Sequence, residues 1–543
     1  LGLPNIKSTL PAGGGTRGSR SAMVRDLSEH QRLVRALLKS DGWPHATDRL
    51  GHIETHISSV LLVGPFAYKI KKPVDFGFLD FSTVDLRRLS CEEEVRLNRR
   101  LAPDVYLDAI PITGTPDAPV LGGDGTPIDW AVKMRRFDEG LLLSAHPELL
   151  DRPLMERLGR EIAQFHARVN VAQPEDQCGQ PDLVVAPMRA NFEQIRLLER
   201  GERTLQRLQR LEEWTEAQFA ALRSLLEARK LAGVVREGHG DLHLGNIAMD
   251  GPNPIIFDGI EFSCALRCID VMNDIAFLAM DLEHQRRPDL EAWFINAYVE
   301  ESGDYAGLPL LRFYQVYRAM VRAKVATLRL NQIALPPEQI KPLHEEFDSY
   351  IDLAERLVQP AKGALVITRG VSGSGKTVVT GELLGPLHAV RVRSDVERKR
   401  LAGLAAGEKS GSGLDQGLYA PSATLATYEH LAAAARAILD SGFVAVVDAT
   451  FLQREQRQAF ATLARLAEVP FLILDFDAPL DTLRARVAQR AAAGRDASEA
   501  GLAVLERQLQ RREPLDDEER AHTVAIAPDK PADGRQILQL IRG

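Results

Sequence analysis

Apolar positions along this chain change period twice. From about 50 to 137 they come in short runs, at 56–63, 67–71, 109–112 and 130–137, which predict strands; one stretch at 86–101 has helical spacing. This is the pattern of a small sheet carrying one helix. From 150 to 235, Leu, Ile and Phe recur every three or four positions among many Arg and Glu, and 190–230 is charged enough to predict exposed helices. Residues 236–262 read as loops around Asp241 and Asp258, and long helices follow to about 331. Beyond Pro360 the runs alternate: strands at 364–368, 389–393, 443–447 and 471–476, with helices at 376–385, up to 440, 454–466 and 480–492. Strands alternating with helices predict a doubly wound parallel sheet covered on both faces.

The two halves show no internal repeat, so they are separate units: a domain over 23–335, with lobes at about 50–137 and 138–335, and a domain over 361–543. A helical linker is expected at 336–360, bracketed by Pro336, Pro337 and Pro360. Residues 1–22 are rich in Gly, Ser and Pro and lack an apolar core, which predicts a disordered leader or an over-long gene start. Met23 precedes a helix start with Leu33, Val34, Leu37 and Leu38 on one face.

Composition narrows the class of protein. The 543 residues are 45% hydrophobic and 26% charged, with a mean hydropathy of -0.15, as in a soluble globular protein. No apolar run reaches the ~18 residues of a membrane span. A net charge of -8 gives no global pull toward nucleic acid. Four cysteines form no disulfide framework or CxxC pair, which predicts a reducing cytoplasm.

Two sets of residues point to phosphoryl transfer. The first is His239-Gly240-Asp241 with Asn246 five positions after Asp241, followed by Asp258 closing the apolar run Ile255-Ile256-Phe257. The spacing is that of a kinase catalytic loop. Asp241 can take the acceptor proton, and Asn246 and Asp258 offer oxygens to Mg²⁺ bridging the phosphates of ATP. Upstream, Lys69 on a strand suits the α/β-phosphates and Glu94 its ion pair. Lys71 shares the strand face with Lys69 and stays an alternative. His166, His239 and His243 read as packing residues, and Arg318, Arg322 and Lys324 as a solvated or acid-paired helix face.

The second set is a full Walker A motif, Gly370-Val371-Ser372-Gly373-Ser374-Gly375-Lys376-Thr377, between a strand and a helix. Backbone N–H groups across Gly370, Ser372, Gly373, Ser374 and Gly375 can wrap the β-phosphate of ATP. Lys376 reaches the β/γ oxygens and Thr377 offers a hydroxyl to Mg²⁺. Asp448 ends a strand as a second metal ligand. Asp395, after the next strand, can orient an acceptor hydroxyl, and Arg398 can hold an anionic part of the acceptor. Arg486 and Arg490, four apart on a helix, and Arg495 beyond it, suit a lid that neutralises transition-state charge.

Over about 50–330 the chain resembles the aminoglycoside phosphotransferase and choline kinase group of eukaryotic-kinase-like enzymes. The likeness rests on Glu94, the strand Ala131-Val132-Lys133-Met134, Phe165-His166, the His239–Asn246 loop and Phe257-Asp258-Gly259-Ile260-Glu261. It implies a bilobal α+β fold, with Arg267 and Asp270 or Asp274 bracing the catalytic loop. Thr55-His56-Ile57-Ser58-Ser59 stands where that group has a glycine-rich loop. Residues 363–520 resemble the small P-loop kinases, and Ser394-Asp395-x-x-Arg398 with Asp448-Ala449-Thr450-Phe451 look most like the polynucleotide kinase and zeta-toxin branch. The whole layout resembles bacterial fusions of a phosphotransferase domain with a kinase domain.

The expected function is a bifunctional ATP- and Mg²⁺-dependent kinase acting on small hydroxyl-bearing acceptors at two separate sites. Two alternatives stand beside it. One is nucleic-acid end repair, the P-loop half phosphorylating the 5′-hydroxyl of a short end; the other is a nucleotide sensor with one degenerate half.

Overall fold

The computed structural model describes residues 17–39, 43, 45, 50–77, 79–137, 139–199, 201–331, 335–411, 416–493, 498–527 and 532–542. The leader expected over 1–22 lies outside the described residues as far as 16, and the chain is helical from Arg17 (α1, Arg17–Lys39). Two compact units emerge: residues up to Leu141 together with Ala248–Arg267, and Leu142–Ile247 together with Cys268 onward.

The first unit is built on an antiparallel sheet of β1 (Leu50–Glu54), β2 (Ser58–Val63), β3 (Phe66–Lys71), β4 (Tyr106–Thr115), β5 (Ala118–Leu121) and β6 (Asp129–Arg135). Between β3 and β4 runs α2 (Val84–Asn98), whose first turn is capped by Thr83 Oγ1 accepting from Leu86 N. The strand order is β1-β2-β3-β6-β4-β5. Alternation divides the sheet: Leu61, Val63, Tyr68 and Ile70 pack with Leu33, Val34 and Leu37 of α1, while Ala67, Val132 and Met134 pack with Cys91 and Val95 of α2. The sequence pattern missed β1 and β5 because neither has a buried apolar face.

The second unit opens with α3 (Arg152–Arg168), α4 (Pro181–Leu198) and α5 (Glu202–Leu231), and then β7 (Val235–Glu237). The chain then returns to the first unit for the β8–β9 pair (Ile247–Asp250, Asn253–Ile256) and α6 (Cys264–Arg267). β10 (Cys268–Asp270) returns to pair with β7, and α7 (Val271–His284), α8 (Pro288–Ser302), α9 (Leu311–Leu330) and α10 (Pro337–Leu357) follow. The charged helices α4 and α5 are not wholly exposed: Phe192, Ile195, Leu208 and Leu211 enter a core shared with α7, α9 and α10. The segment expected as a linker is part of that core, since α10 buries Phe347, Tyr350, Ile351 and Leu353.

The remaining chain alternates β11 (Leu365–Arg369), α11 (Lys376–Leu387), β12 (Ala389–Arg393), α12 (Ser394–Leu401), α13 (Pro421–Asp440), β13 (Val444–Asp448), α14 (Arg454–Leu466), β14 (Phe471–Phe476) and α15 (Leu480–Ala493). It ends with α16 (Leu502–Arg511), α17 (Asp517–Ala521), β15 (Thr523–Ile526) and α18 (Gly534–Arg542). The sheet is parallel throughout, in the order β12-β13-β11-β14-β15. The short strand β15, with only Ile526 buried, left no apolar run to read. Edge strand β12 is covered by α8: Arg391 N donates to Asn296 Oδ1 at 2.8 Å, and Tyr305 Oη, just beyond α8, donates to Arg391 O at 3.3 Å. No described helix is long and apolar enough to cross a membrane.

Candidate functional site

In the first unit, Glu94 stands between the two strand lysines. Its Oε1 lies 2.9 Å from Lys69 Nζ and its Oε2 2.6 Å from Lys71 Nζ. Period two puts both lysines on the α2 face of β3, and the helical frame brings Glu94 to them. Lys69 also donates to Asp258 Oδ1 at 2.6 Å, whereas Lys71 is paired with Glu261. Burial works against both ammonium groups, but the facing carboxylates hold their pKa values above the ordinary lysine range. Lys69 retains 12% exposure and Lys71 only 1%, so Lys69 is the one placed to meet a ligand.

Asp258 adopts a left-handed conformation (φ 62°), a backbone state that Asp tolerates better than most residues. Its N–H donates to Tyr106 Oη at 3.0 Å, and Gly259 N donates to Asn98 Oδ1 at 2.8 Å, so β4 and α2 fix this turn. The Asp258 carboxylate is 45% exposed, open to a cation. In the Thr55–Ser59 segment, which lacks glycine, Thr55 Oγ1 closes the β1–β2 turn by accepting from Ser58 N at 3.0 Å.

The second unit holds the catalytic-loop motif. Asp274, at the start of α7, accepts from His239 N at 2.7 Å and Gly240 N at 2.9 Å, and His166 Nε2 lies 3.1 Å from its Oδ2. Asp274 is therefore the brace. Asp270 instead caps α7 and pairs with Arg229, and Arg267 pairs with Glu93 in the first unit. Arg318 is not on a solvated face: it is buried, donating to Gly240 O at 3.0 Å. Arg322 donates to Tyr350 Oη at 3.1 Å.

Asn246 Nδ2 donates to Asp241 O at 2.9 Å and to Asp241 Oδ2 at 3.0 Å, which leaves its carbonyl oxygen as the group it can offer a metal ion. His243 Nε2 lies 3.3 Å from Asp241 Oδ2. Burial alone would raise the Asp241 carboxyl, but His243, His239 and Arg318 outweigh it and hold it well below the usual carboxylate range. The His243 imidazole is raised in turn: burial lowers it, and Asp241 more than compensates. His243 is thus an electrostatic partner of Asp241 as well as a packing residue.

The P-loop residues share one cavity of about 230 Å³, lined by Lys376, Thr377, Asp395, Arg398, Asp448, Arg486 and Arg490 among others. Gly373 and Gly375 have φ of 83° and 95°, and a Cβ on Gly373 would come within 3.0 Å of Leu483 O. Lys376 Nζ donates to Gly370 O and Val371 O, both at 2.9 Å. Burial lowers its pKa against the pull of Asp448 and Asp395. Thr377 Oγ1 donates to Asp448 Oδ2 at 2.7 Å, an oxygen pair suited to a hard divalent cation.

Ser374 is buried, its hydroxyl donating to Val371 O at 2.8 Å. Ser372 N donates to Gln508 Oε1 at 2.7 Å, a contact no motif signalled. Arg398 lines the cavity with its guanidinium tied to Leu418 O at 2.8 Å and Thr424 Oγ1 at 3.1 Å. Arg490 donates to Ala500 O at 2.9 Å, and Arg495 lies outside the described residues. Tyr419, Tyr428 and Arg393 also line the cavity. They were missed because no spacing rule connects them to the P-loop.

Two kinase-type domains place the chain among the ATP-dependent phosphotransferases. Residues 86–314 match the Phosphotransferase enzyme family, and residues 365–515 match the AAA domain family. An uncharacterized protein of Mycobacterium tuberculosis (strain ATCC 25618 / H37Rv) is 30% identical over 451 residues, covering 82% of this chain and 87% of its own. The chain belongs to the same family as that protein, joining a phosphotransferase domain to a P-loop kinase domain, and it is an ATP-dependent kinase. Among solved structures, choline kinase from Cryptosporidium parvum Iowa II is 13% identical with a TM-score of 0.39, covering 61% of this chain and 96% of its own. Chaetomium thermophilum Kti12 in complex with ADP-AlF3 is 17% identical with a TM-score of 0.26, covering 33% and 97%.

Proposed function

We propose that the protein is a bifunctional kinase with two separate Mg·ATP sites, each passing the γ-phosphate to a hydroxyl group of a small acceptor. The observation that carries this reading is the P-loop cavity. It brings a phosphate cation (Lys376), a metal-ligand pair (Thr377 and Asp448) and a candidate acceptor carboxylate (Asp395) together without any residue of the His239–Asp258 set.

A bound Mg²⁺ ion would supply positive charge against the negative charge that develops on the phosphates during transfer, and Asn246 and Asp258 in the first half and Thr377 and Asp448 in the second would hold it. In the first half Lys69, oriented by Glu94, holds the phosphates. Asp241, kept ionised by His243 and Arg318, accepts the acceptor's proton and aligns its oxygen. In the second half Lys376 leaves the P-loop carbonyls for the β/γ oxygens, Asp395 orients the acceptor, and Arg398 holds an anionic part of it. Arg486 and Arg490 are the candidate lid cations. No disulfide joins the four cysteines, which supports a cytoplasmic setting.

The test is an untargeted one. The protein is incubated with ATP and a metabolite extract, and mass spectrometry identifies which compounds gain a phosphate. Products lost in Asp241→Ala and others lost in Lys376→Ala are expected. A single product lost in both variants would overturn two independent sites.

A further inference from the structure

Helix α8 lies in the phosphotransferase half by sequence, yet its C-terminal turn reaches the P-loop machinery. Glu300 offers one oxygen to each of two arginines that share a face of β12. Its Oε1 is 3.0 Å from Arg393 Nη1, and its Oε2 is 3.4 Å from Arg391 Nη2. Both arginines lead directly to metal-binding residues. Arg391 Nη1 donates to Thr377 O at 2.8 Å and to Thr380 Oγ1 at 3.1 Å, holding the first turn of α11 behind the phosphate loop. Arg393 lines the P-loop cavity, with Nε 4.0 Å from Asp448 Oδ2, the oxygen that receives the Thr377 hydroxyl.

The separations indicate what Glu300 does. A guanidinium beside a carboxylate closes to a hydrogen-bonded pair at roughly 2.8 Å when nothing restrains it. Arg393 stands off Asp448 by more than an ångström beyond that, while its Nη1 sits at hydrogen-bond distance, 3.0 Å, from Glu300. Burial would raise the Glu300 carboxyl, but Arg391 and Arg393 hold it below the ordinary range, so it is ionised and able to restrain them. A guanidinium closed on Asp448 would occupy the carboxylate that a divalent cation needs. An uncompensated Arg391 would likewise pull on the backbone of Thr377.

We propose that Glu300 is a positioning residue of the P-loop kinase, supplied by the phosphotransferase half. It keeps Arg393 from closing on Asp448 and seats Arg391 against Thr377, so that the metal-ligand pair stays available. This rests on the P-loop half being a Mg·ATP site, and the experiment separates the two claims. In the full chain, binding of a fluorescent ATP analogue is titrated against Mg²⁺, and the component lost in Lys376→Ala defines the P-loop site. No component lost in Lys376→Ala would sink the nucleotide-site reading itself.

Given that component, Glu300→Gln is expected to raise the Mg²⁺ concentration for half-maximal binding by about tenfold, the scale of losing an outer-shell partner of a metal ligand. The double variant Glu300→Gln/Arg393→Gln should recover much of that loss, because no guanidinium remains to close on Asp448. A merely structural role predicts a lower melting temperature with unchanged Mg²⁺ dependence and no recovery in the double variant, and either result overturns the proposal. If Glu300→Gln does not fold, Glu300→Asp keeps the charge one methylene further back. It should shift the Mg²⁺ dependence in the same direction by less, and an unshifted curve counts against the proposal equally.

Discussion

The ammonium of Lys69 lies 2.6 Å from Oδ1 of Asp258, a residue 189 positions further along the chain. The lysine is shared, since Glu94 stands 2.9 Å away on the other side. Lys71 is held instead by Glu94 and Glu261, and is almost fully buried. The two lysines therefore have different fates on substitution. Lys69→Met should weaken Mg·ATP binding by the first half by about tenfold (~1.4 kcal/mol) with little change in thermal unfolding. Lys71→Met leaves the buried Glu261 without its ammonium partner and Glu94 with Lys69 alone, and should cost ~3–5 kcal/mol of stability. Calorimetry and nucleotide titration on both variants check this, and the reverse pattern would make Lys71 the phosphate lysine.

The Asp241 carboxyl is held low in the folded protein, so it is ionised across the ordinary assay range. The stability it contributes is complete above the usual carboxylate pKa and is lost only as pH falls through the depressed value. The acid limb of kcat/KM for the first half should accordingly lie below pH ~4. His243→Gln removes the leading opposing charge and should move that limb up toward the ordinary carboxylate range. An unmoved limb would mean that His243 does not set the ionisation of Asp241.

Lys376 is the P-loop's own cation. Lys376→Ala should cut transfer by the second half roughly a hundredfold or more, the scale of several kcal/mol of lost charge stabilisation. Asp395→Asn should cut it comparably while sparing ATP binding. The Asp241-dependent reaction should continue in both variants. Its loss in Lys376→Ala would show that the sites are coupled.

Burial and the neighbouring Glu291 push the Glu283 carboxyl up to about 8. A carboxyl raised in the folded state favours folding when protonated, so stability falls as pH rises from the ordinary carboxylate range through 8. Glu283→Gln mimics the protonated form. It should raise the melting temperature near pH ~9 and give little gain near pH ~5. An equal gain at both values would rule out ionisation as the cause.

Cutting the chain between Val358 and Ala361 removes α8 from edge strand β12. The separated C-terminal fragment would expose the Arg391 N–H that Asn296 accepts, along with the sheet edge itself. Uncovered edges of this kind invite strand-to-strand association. The fragment beginning near 361 should therefore aggregate more readily than the whole chain in light scattering, and a monodisperse fragment that binds ATP as tightly as the whole chain would refute this.

Much of the site was readable because phosphate chemistry imposes local spacing. The Walker loop, the His239–Asn246 loop and strand-end Asp448 each need residues at fixed offsets on one strand–turn unit, and they were legible as such. Lys69 and Lys71 were left open because period two places both on one face, and only the fold shows which one Asp258 and which one Glu261 meets. The choice between Asp270 and Asp274 as brace likewise depends on which carboxylate the start of α7 aims at the Gly240 backbone.

By itself the sequence determined most of the alternating strands and helices of the second half, its parallel sheet and the spacing of the two phosphate-type motifs. Periodicity and motif spacing are short-range properties of a chain. Tertiary structure alone decided that α10 is core rather than connector, that Arg318 is buried on the catalytic loop and that Glu300 reaches Arg391 and Arg393. The physical reason is common to all three. Long side chains on one element are neutralised or covered by another element far along the chain, and no local pattern records which partner the packing will deliver.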